Sequence, residues 1–452
     1  MSSPGLAPRT AAWRILHDVH RGVPFDLTLE RSLTGLEEPD RRLAHELAAG
    51  ALRQRAPLDA AIAPHVSAGI DSVRPDLLDI LRLGAYQLLF LERVPSHAAV
   101  STSVDLARRV AGARVGAFVN AVLRRVAERR EEGGERREEP ARDAGSSLLP
   151  PPSSLLPLPS AADLAASYSH PEWLVARWVA RFGLDEAERL LAWNNTRPRL
   201  VLQPARWEES AIVAALDRAG VRWAHAPFGA GIVVDATRPR DLPGFTAGAF
   251  HIQDPAQALA VRFFGLPERA TVFDACAAPG GKALGLSAAV RFIAAADLKL
   301  PRVLRLRGNL ERAARGSFAT LVAAAEHAPI RMVDAVLLDV PCLGTGTLVR
   351  NPDARWRVST EALARLAAQG ARLLRALADT VRPGGWLCFA TCSLEPEENE
   401  TQVEAFLAED PRFRREPGDL GQELMTEAGD FMTFPQRHGM DGAFAARLRR
   451  VA

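Results

Sequence analysis

The stretch Val272–Lys282, V-F-D-A-C-A-A-P-G-G-K, restricts the possible folds more than any other part of this 452-residue chain. Val272–Cys276 is short and mostly apolar, as a strand buried on both faces must be. Pro279-Gly280-Gly281 breaks that pattern, and an apolar run at helical spacing starts near Ala283. A strand, a glycine turn and a helix start in that order turn backbone N–H groups toward a ligand at the mouth of a parallel sheet. Without side chains at Gly280 and Gly281, a ligand can come close to the backbone. A lone Gly-Gly is as readily a plain structural turn, so the residues downstream have to decide.

From His251 onward strand and helix patterns alternate. Strands are expected at Val272–Cys276, Phe292–Asp297, Ala319–Ala323, Ala335–Val340 and Trp386–Thr391, with a helix over Thr360–Thr380. This order predicts an α/β, Rossmann-like, doubly wound and mostly parallel sheet over 251–452, with ligands at the carboxyl ends of its strands. Three further strand ends then matter. Asp297 is placed to accept hydrogen bonds from a ribose diol, or else to cap the next helix. Asp339-Val340-Pro341-Cys342 precedes Gly344-Thr345-Gly346-Thr347. Ala390-Thr391-Cys392-Ser393 ends the last strand. Taken singly, a cysteine is usually a small buried hydrophobe, as Cys276 and Cys388 are expected to be inside their strands. Two strand-end cysteines facing one crevice fit that description less well.

The rest of the chain reads as separate modules. Residues 1–130 carry apolar positions three and four apart, as in Pro39–Arg53, Arg74–Leu91 and Val115–Arg130, and are expected to be all helical. Residues 131–160 are first mixed-charge and then Ser/Leu/Pro-rich, the composition of a disordered linker. Residues 161–250 alternate helices with strands at Leu200–Gln203 and Gly231–Val234, a small α+β module. Hydrophobic content of 48% and charged content of 24% are those of a globular protein. No apolar run is long enough to span a bilayer, and the N-terminus does not read as a secretory signal, so a cytoplasmic protein without membrane contact is expected. The four cysteines have neither metal-site spacing nor a disulfide framework, and no metal is expected. A net charge of +2 does not by itself indicate nucleic acid. Lys282 and Lys299 are the only lysines against an arginine background, so an ammonium is wanted beside the glycine turn.

These residue types suit chemistry at carbon 5 of cytosine, which is a poor nucleophile. A thiolate adding to carbon 6 makes the ring an enamine, and carbon 5 can then attack an activated methyl group. A carboxylate such as Asp339 on the base edge would stabilise charge on the ring. A second acid/base group speeds loss of the carbon 5 proton and expulsion of the thiol. Lys282 is the candidate for lowering the thiol pKa.

D-A-C-A-A-P-G-G-K, L-L-D-V-P-C-L-G-T-G-T, R-N-P-D-A-R-W and A-T-C-S-L-E-P-E-E-N-E resemble the signature motifs of the RNA cytosine-C5 methyltransferases that use S-adenosylmethionine. The N-terminal helices resemble the NusB-type RNA-binding domain, and the pairing is similar to the bacterial 16S ribosomal RNA enzymes of the RsmB (Sun) type. The resemblance implies Cys392 as nucleophile and Cys342 as the residue assisting release. It implies a cofactor held by Cys276, Ala277, Ala278, Pro279, Gly280, Gly281 and Lys282, by Asp297, and by Asp339 between cofactor and base. It further implies an RNA-binding role for 161–250, and a monomer acting on 16S RNA or a small-subunit assembly intermediate. Ala324 stands where the family usually has an aspartate facing the cofactor's adenine. Two alternatives remain: a non-catalytic RNA-binding or assembly factor that keeps the fold, and a DNA cytosine-C5 methyltransferase, which would not account for Cys392.

Overall fold

A computed structural model describes residues 5–134, 159–236 and 238–451. The expected linker at 131–160 lies almost wholly outside the described residues. The described chain forms two compact units, one of residues 1–195 with Asn351–Trp356, the other of 196–350 with 357–452.

The first unit is helical, with Leu6–His20, Phe25–Ser32, Glu38–Arg53, Arg55–Ile62, Pro75–Phe90, Ser96–Ala111 and Val115–Gly134 in succession. Ile15, Leu47, Ile80, Leu81, Val119 and Leu123 are among its buried core residues. Close approach depends on Gly50, where a Cβ would sit 2.0 Å from the Tyr86 ring. Helices Ala161–Tyr168, Glu172–Phe182 and Leu184–Asn194 belong to this unit, whereas the sequence pattern placed them with the α+β module. Amphipathic spacing shows that a helix has a buried face but not what covers it.

Asn351–Trp356, the middle of R-N-P-D-A-R-W, also packs in the helical unit. Arg355 is fully buried and donates to Asn195 Oδ1 (2.7 Å), Asn194 O (2.9 Å) and Ser169 O. Asp353 accepts from Phe25 N, and the Trp356 indole donates to Leu52 O. A buried guanidinium is tolerated because these acceptors replace its water.

The second unit opens with a small antiparallel sheet. Its strands are β1 (Leu200–Pro204), β2 (Trp223–His225), β3 (Ile232–Val234) and β4 (Phe250–Ile252), in the order β2-β3-β1-β4. The sequence pattern missed β2 and β4, whose Trp-Ala-His and Phe-His-Ile lack the unbroken β-branched run that reveals β3 at the same length of three residues. Helix Glu209–Arg218 covers one face through Ile212 and Leu216.

The large sheet comprises β5 (Thr271–Asp274), β6 (Phe292–Asp297), β7 (Ser317–Val322), β8 (Val333–Asp339), β9 (Val381–Thr391), β10 (Phe413–Arg415), β11 (Phe431–Thr433) and β12 (Ala443–Arg450). Its order is β10-β12-β9-β8-β5-β6-β7, with β11 also on β12. β7, β6, β5, β8 and β9 are parallel, and β12 adds antiparallel to β9. Successive strand residues alternate between two cores. Val272, Ile293, Leu337 and Cys388 face one, and Phe273, Ala294, Leu338 and Phe389 the other. That two-sided burial is why these strands read as continuous apolar runs. Strand order reverses between β5, which leads to β6, and its neighbour β8, so the crevice lies above β5 and β8.

Candidate active site

The chain leaves the sheet earlier than expected at β5, which ends at Asp274 rather than Cys276. Cys276 therefore sits in the turn, not in the strand, and is half-buried. Burial, followed by the charges of Asp274 and Asp339, pushes its thiol up to about 12, so it stays protonated. Ala277 N donates to Ala296 O, and Gly280 has φ 107° at the start of helix Gly281–Leu286. A Cβ on Gly280 would sit 2.8 Å from Leu306. Cys276–Gly281 thus form a tight backbone cradle, with Lys282 in the first turn of the helix.

Lys282 is 7% exposed, and its Nζ donates to Asp339 Oδ2 at 2.7 Å and to Gln257 Oε1 at 2.5 Å. The ammonium thus serves Asp339, at the end of β8, instead of contacting a cysteine as the thiolate role would require. Gln257, from helix Pro255–Phe264, is a member of this group that sequence reasoning missed.

Asp274 was missed as well. It is 1% exposed, and neither carboxylate oxygen accepts a hydrogen bond of good geometry. Burial, then the charge of Asp339, raise it to about 8 against the opposing pull of Lys282 and of the Cys276 backbone N–H. Buried polar atoms are nearly always satisfied in folded proteins, so a buried acid facing the cradle suits a cationic ligand group. Its sequence signal was an acidic residue closing an apolar strand.

Asp297 is buried, accepting from Arg302 Nε at 3.0 Å and from Lys299 N at 3.4 Å. Arg302 also donates to Ala278 O, tying the end of β6 to the glycine turn. Ala324 follows β7, and Glu326 lies beyond it on an exposed turn.

The two strand-end cysteines meet. β8 and β9 are adjacent and parallel, with Asp339 opposite Ala390, and Val340 N donates to Ala390 O. The loops that follow are joined: Gly346 N donates to Cys392 O and Leu394 N to Thr345 Oγ1. Cys342 Sγ and Cys392 Sγ come to 3.4 Å, hydrogen-bond distance for thiols, and both are partly exposed. The Cys342 thiol is pushed well above the usual range by that hydrogen bond, by burial, and then by the neighbouring charges of Cys392 and Glu398. Cys388 is buried in β9, as expected, and burial pushes it up to about 12. Among the described residues no group of three or more His, Cys, Asp or Glu side chains is placed to hold a metal ion, and no helix is long and apolar enough to cross a membrane.

A parallel sheet with this glycine cradle, strand-end acids and paired thiols defines a methyltransferase. The family described as "16S rRNA methyltransferase RsmB/F" matches residues 263–449, the NusB family matches 6–128, and the ferredoxin-like domain of RsmF/B-like proteins matches 170–239. The chain is 33% identical to ribosomal RNA small subunit methyltransferase B of Xanthomonas campestris, covering 100% of this chain and 99% of that one. It is 32% identical to the Pseudomonas putida protein of the same name, covering 99% of each. The crystal structure of PH0851 has the same fold, with a TM-score of 0.80 at 23% identity over 99% of both chains. The chain belongs to the ribosomal RNA small subunit methyltransferase B family.

Proposed function

We propose that this protein methylates carbon 5 of a cytosine in small-subunit ribosomal RNA, with S-adenosylmethionine as donor, through a covalent adduct between Cys392 and carbon 6. The observation that carries this reading is the 3.4 Å pairing of Cys342 and Cys392 beside the Lys282–Asp339 ion pair. A single thiolate can be shared by two sulfurs at that distance. We assign the attack to Cys392 and the proton-bearing role to Cys342, the roles that the family resemblance implies.

Cys392 adds its electron pair to carbon 6, and Asp339, oriented by Lys282, holds the base edge while charge builds on the ring. S-adenosylmethionine, when bound, supplies the electrophilic methyl group for carbon 5. On release, the carbon 5 proton passes to a base, its electrons restore the ring double bond, and the carbon 6–sulfur bond breaks toward Cys392. Cys342 then donates its S–H to the departing sulfur. The backbone at Cys276–Gly281 and the Asp297 carboxylate suit a nucleoside. The buried Asp274 carboxyl suits the ammonium of an amino-acid tail. The helical unit, with its NusB-family match, would supply RNA contacts, and the target base must be single-stranded or flipped.

Incubation with small-subunit RNA and S-adenosylmethionine, followed by nucleoside mass spectrometry, should yield 5-methylcytosine. RNA binding with no methyl transfer and no adduct would point instead to a binding factor.

Ala324 leads to a second expectation. An aspartate there would add a charge-assisted hydrogen bond to the adenine, on the order of 1.5–3 kcal/mol. Calorimetric titration of Ala324→Asp should show tighter cofactor binding by about tenfold or more; unchanged affinity would mean that the backbone already satisfies the adenine.

A further inference from the structure

Glu398 is 3% exposed, yet it is an acid in a run of acids, L-E-P-E-E-N-E. Its two carboxylate oxygens lie 3.0 and 3.2 Å from the backbone N–H of Leu343, and the Ser393 side chain is a further hydrogen-bond partner. Leu343 is the residue after Cys342. The other ties between the two cysteine loops are neutral: Thr345 Oγ1 with Ser393 Oγ at 3.3 Å, Leu394 N to Thr345 Oγ1 at 2.8 Å, and Gly346 N to Cys392 O at 3.0 Å. Asn399, the next residue, holds Ser393 O and Thr391 Oγ1, so the segment after Cys392 braces both loops. Burying a carboxylate is costly unless it does something neutral groups cannot. Here it fixes the peptide that carries Cys342 and sets a negative charge near that thiol.

We propose that Glu398 is a positioning residue for the release half of the reaction, holding Cys342 against Cys392 through its grip on the Leu343 N–H. This rests on the release role of Cys342 given above. The charge component has a pH signature. Burial first, then the charges of Glu395 and Glu397, raise Glu398 to about 7 against the hydrogen bond from Leu343 N and that with Ser393. Cys342 also feels the Glu398 charge. Above about 7 the carboxylate is ionised and grips Leu343 N–H; below it, the neutral acid grips more weakly. Release should therefore slow as pH falls through about 7.

Two measurements test the proposal. The first needs no RNA: phenylarsine oxide binds two thiols only when they are close. Wild type should capture it at Cys342 and Cys392, Cys342→Ala should lose that capture, and Glu398→Ala should weaken it roughly tenfold, the loss typical of one charge-assisted hydrogen bond. Equal capture by wild type and Glu398→Ala overturns the positioning claim, whatever the reaction proves to be. The second follows decay of the protein–RNA adduct. Glu398→Ala should lengthen its lifetime roughly tenfold without slowing its formation. Glu398→Gln, which keeps an acceptor for Leu343 N–H, should recover most of the rate but lose the pH dependence near 7. A Gln variant that keeps the wild-type pH profile overturns the charge component. Wild type that captures the arsenical but forms no RNA adduct overturns the proposed reaction and the release role with it. S-adenosylmethionine affinity checks the fold of Glu398→Ala, and if that variant does not fold, Glu398→Gln decides through its pH profile.

Discussion

Cys392→Ala should be inert, with methyl transfer down on the order of 10⁴-fold or more, as when a covalent nucleophile is removed. Cys342→Ala should behave differently, accumulating a protein–RNA adduct that survives denaturation. The asymmetry follows from the two roles proposed for the sulfurs. The sulfurs are 3.4 Å apart, and the Cys342 thiol is pushed well above its ordinary range by that contact. Addition needs only the Cys392 thiolate, so it persists without Cys342. Expulsion leaves charge on sulfur, and the variant lacks the S–H that stood 3.4 Å away to receive it. Denaturing electrophoresis of both variants with labelled small-subunit RNA and S-adenosylmethionine reads both effects at once. An adduct retained in Cys392→Ala and absent in Cys342→Ala would exchange the roles and favour the DNA-type mechanism. The double variant should form no adduct, because release is immaterial when addition fails.

How much of this was readable in the chain depends on how local each determinant is. β6 runs over Phe292–Asp297 as the pattern predicts, because a strand buried on both faces needs apolar residues at nearly every position. The glycine turn was legible from residue type alone, and the pairing of Cys342 with Cys392 from topology, since adjacent parallel strands deliver their following loops to one place. Partners that depend on distant packing were not legible. Lys282 looked free to serve a thiolate, but Gln257 and Asp339 take its ammonium, and Gln257 reads as one polar residue in an apolar helix. Glu398 is indistinguishable in sequence from Glu397, yet only Glu398 of the two is buried. Arg350 and Arg355 lie in one motif with different partners. Arg350 binds Asp254 and Asp441 in the second unit, whereas Arg355 is enclosed by Ser169, Asn194 and Asn195 in the first. Spacing along a chain says nothing about such a division.

Cofactor binding should release a proton, with affinity rising at least about tenfold between pH 6 and 7.5. Asp274 is the source. Its carboxyl is raised from 3.8 to about 8, first by burial and then by Asp339, with Asp297 adding to the same effect and Lys282 opposing it. Unfolded, this group ionises near its ordinary value, whereas folded it keeps its proton to about 8. The unliganded fold is therefore progressively penalised as pH rises through that window, and the penalty levels off above it. A ligand ammonium reverses the balance by favouring the carboxylate. Below about 8 most molecules must lose the Asp274 proton to make the ion pair, and the apparent affinity is reduced by the ionised fraction. Above about 8 the gain ends, because an α-amino group itself begins to lose charge near 7.7–8.0. Calorimetry at pH 6.5 in two buffers of different ionisation enthalpy should give observed enthalpies that differ by close to one proton's worth. Asp274→Asn should bind more weakly and show the same enthalpy in both buffers. Wild-type enthalpies independent of buffer would mean that the Asp274 carboxyl does not meet the ammonium, and the cofactor's amino-acid end would have to be held by Asp339 or by the backbone of the glycine turn.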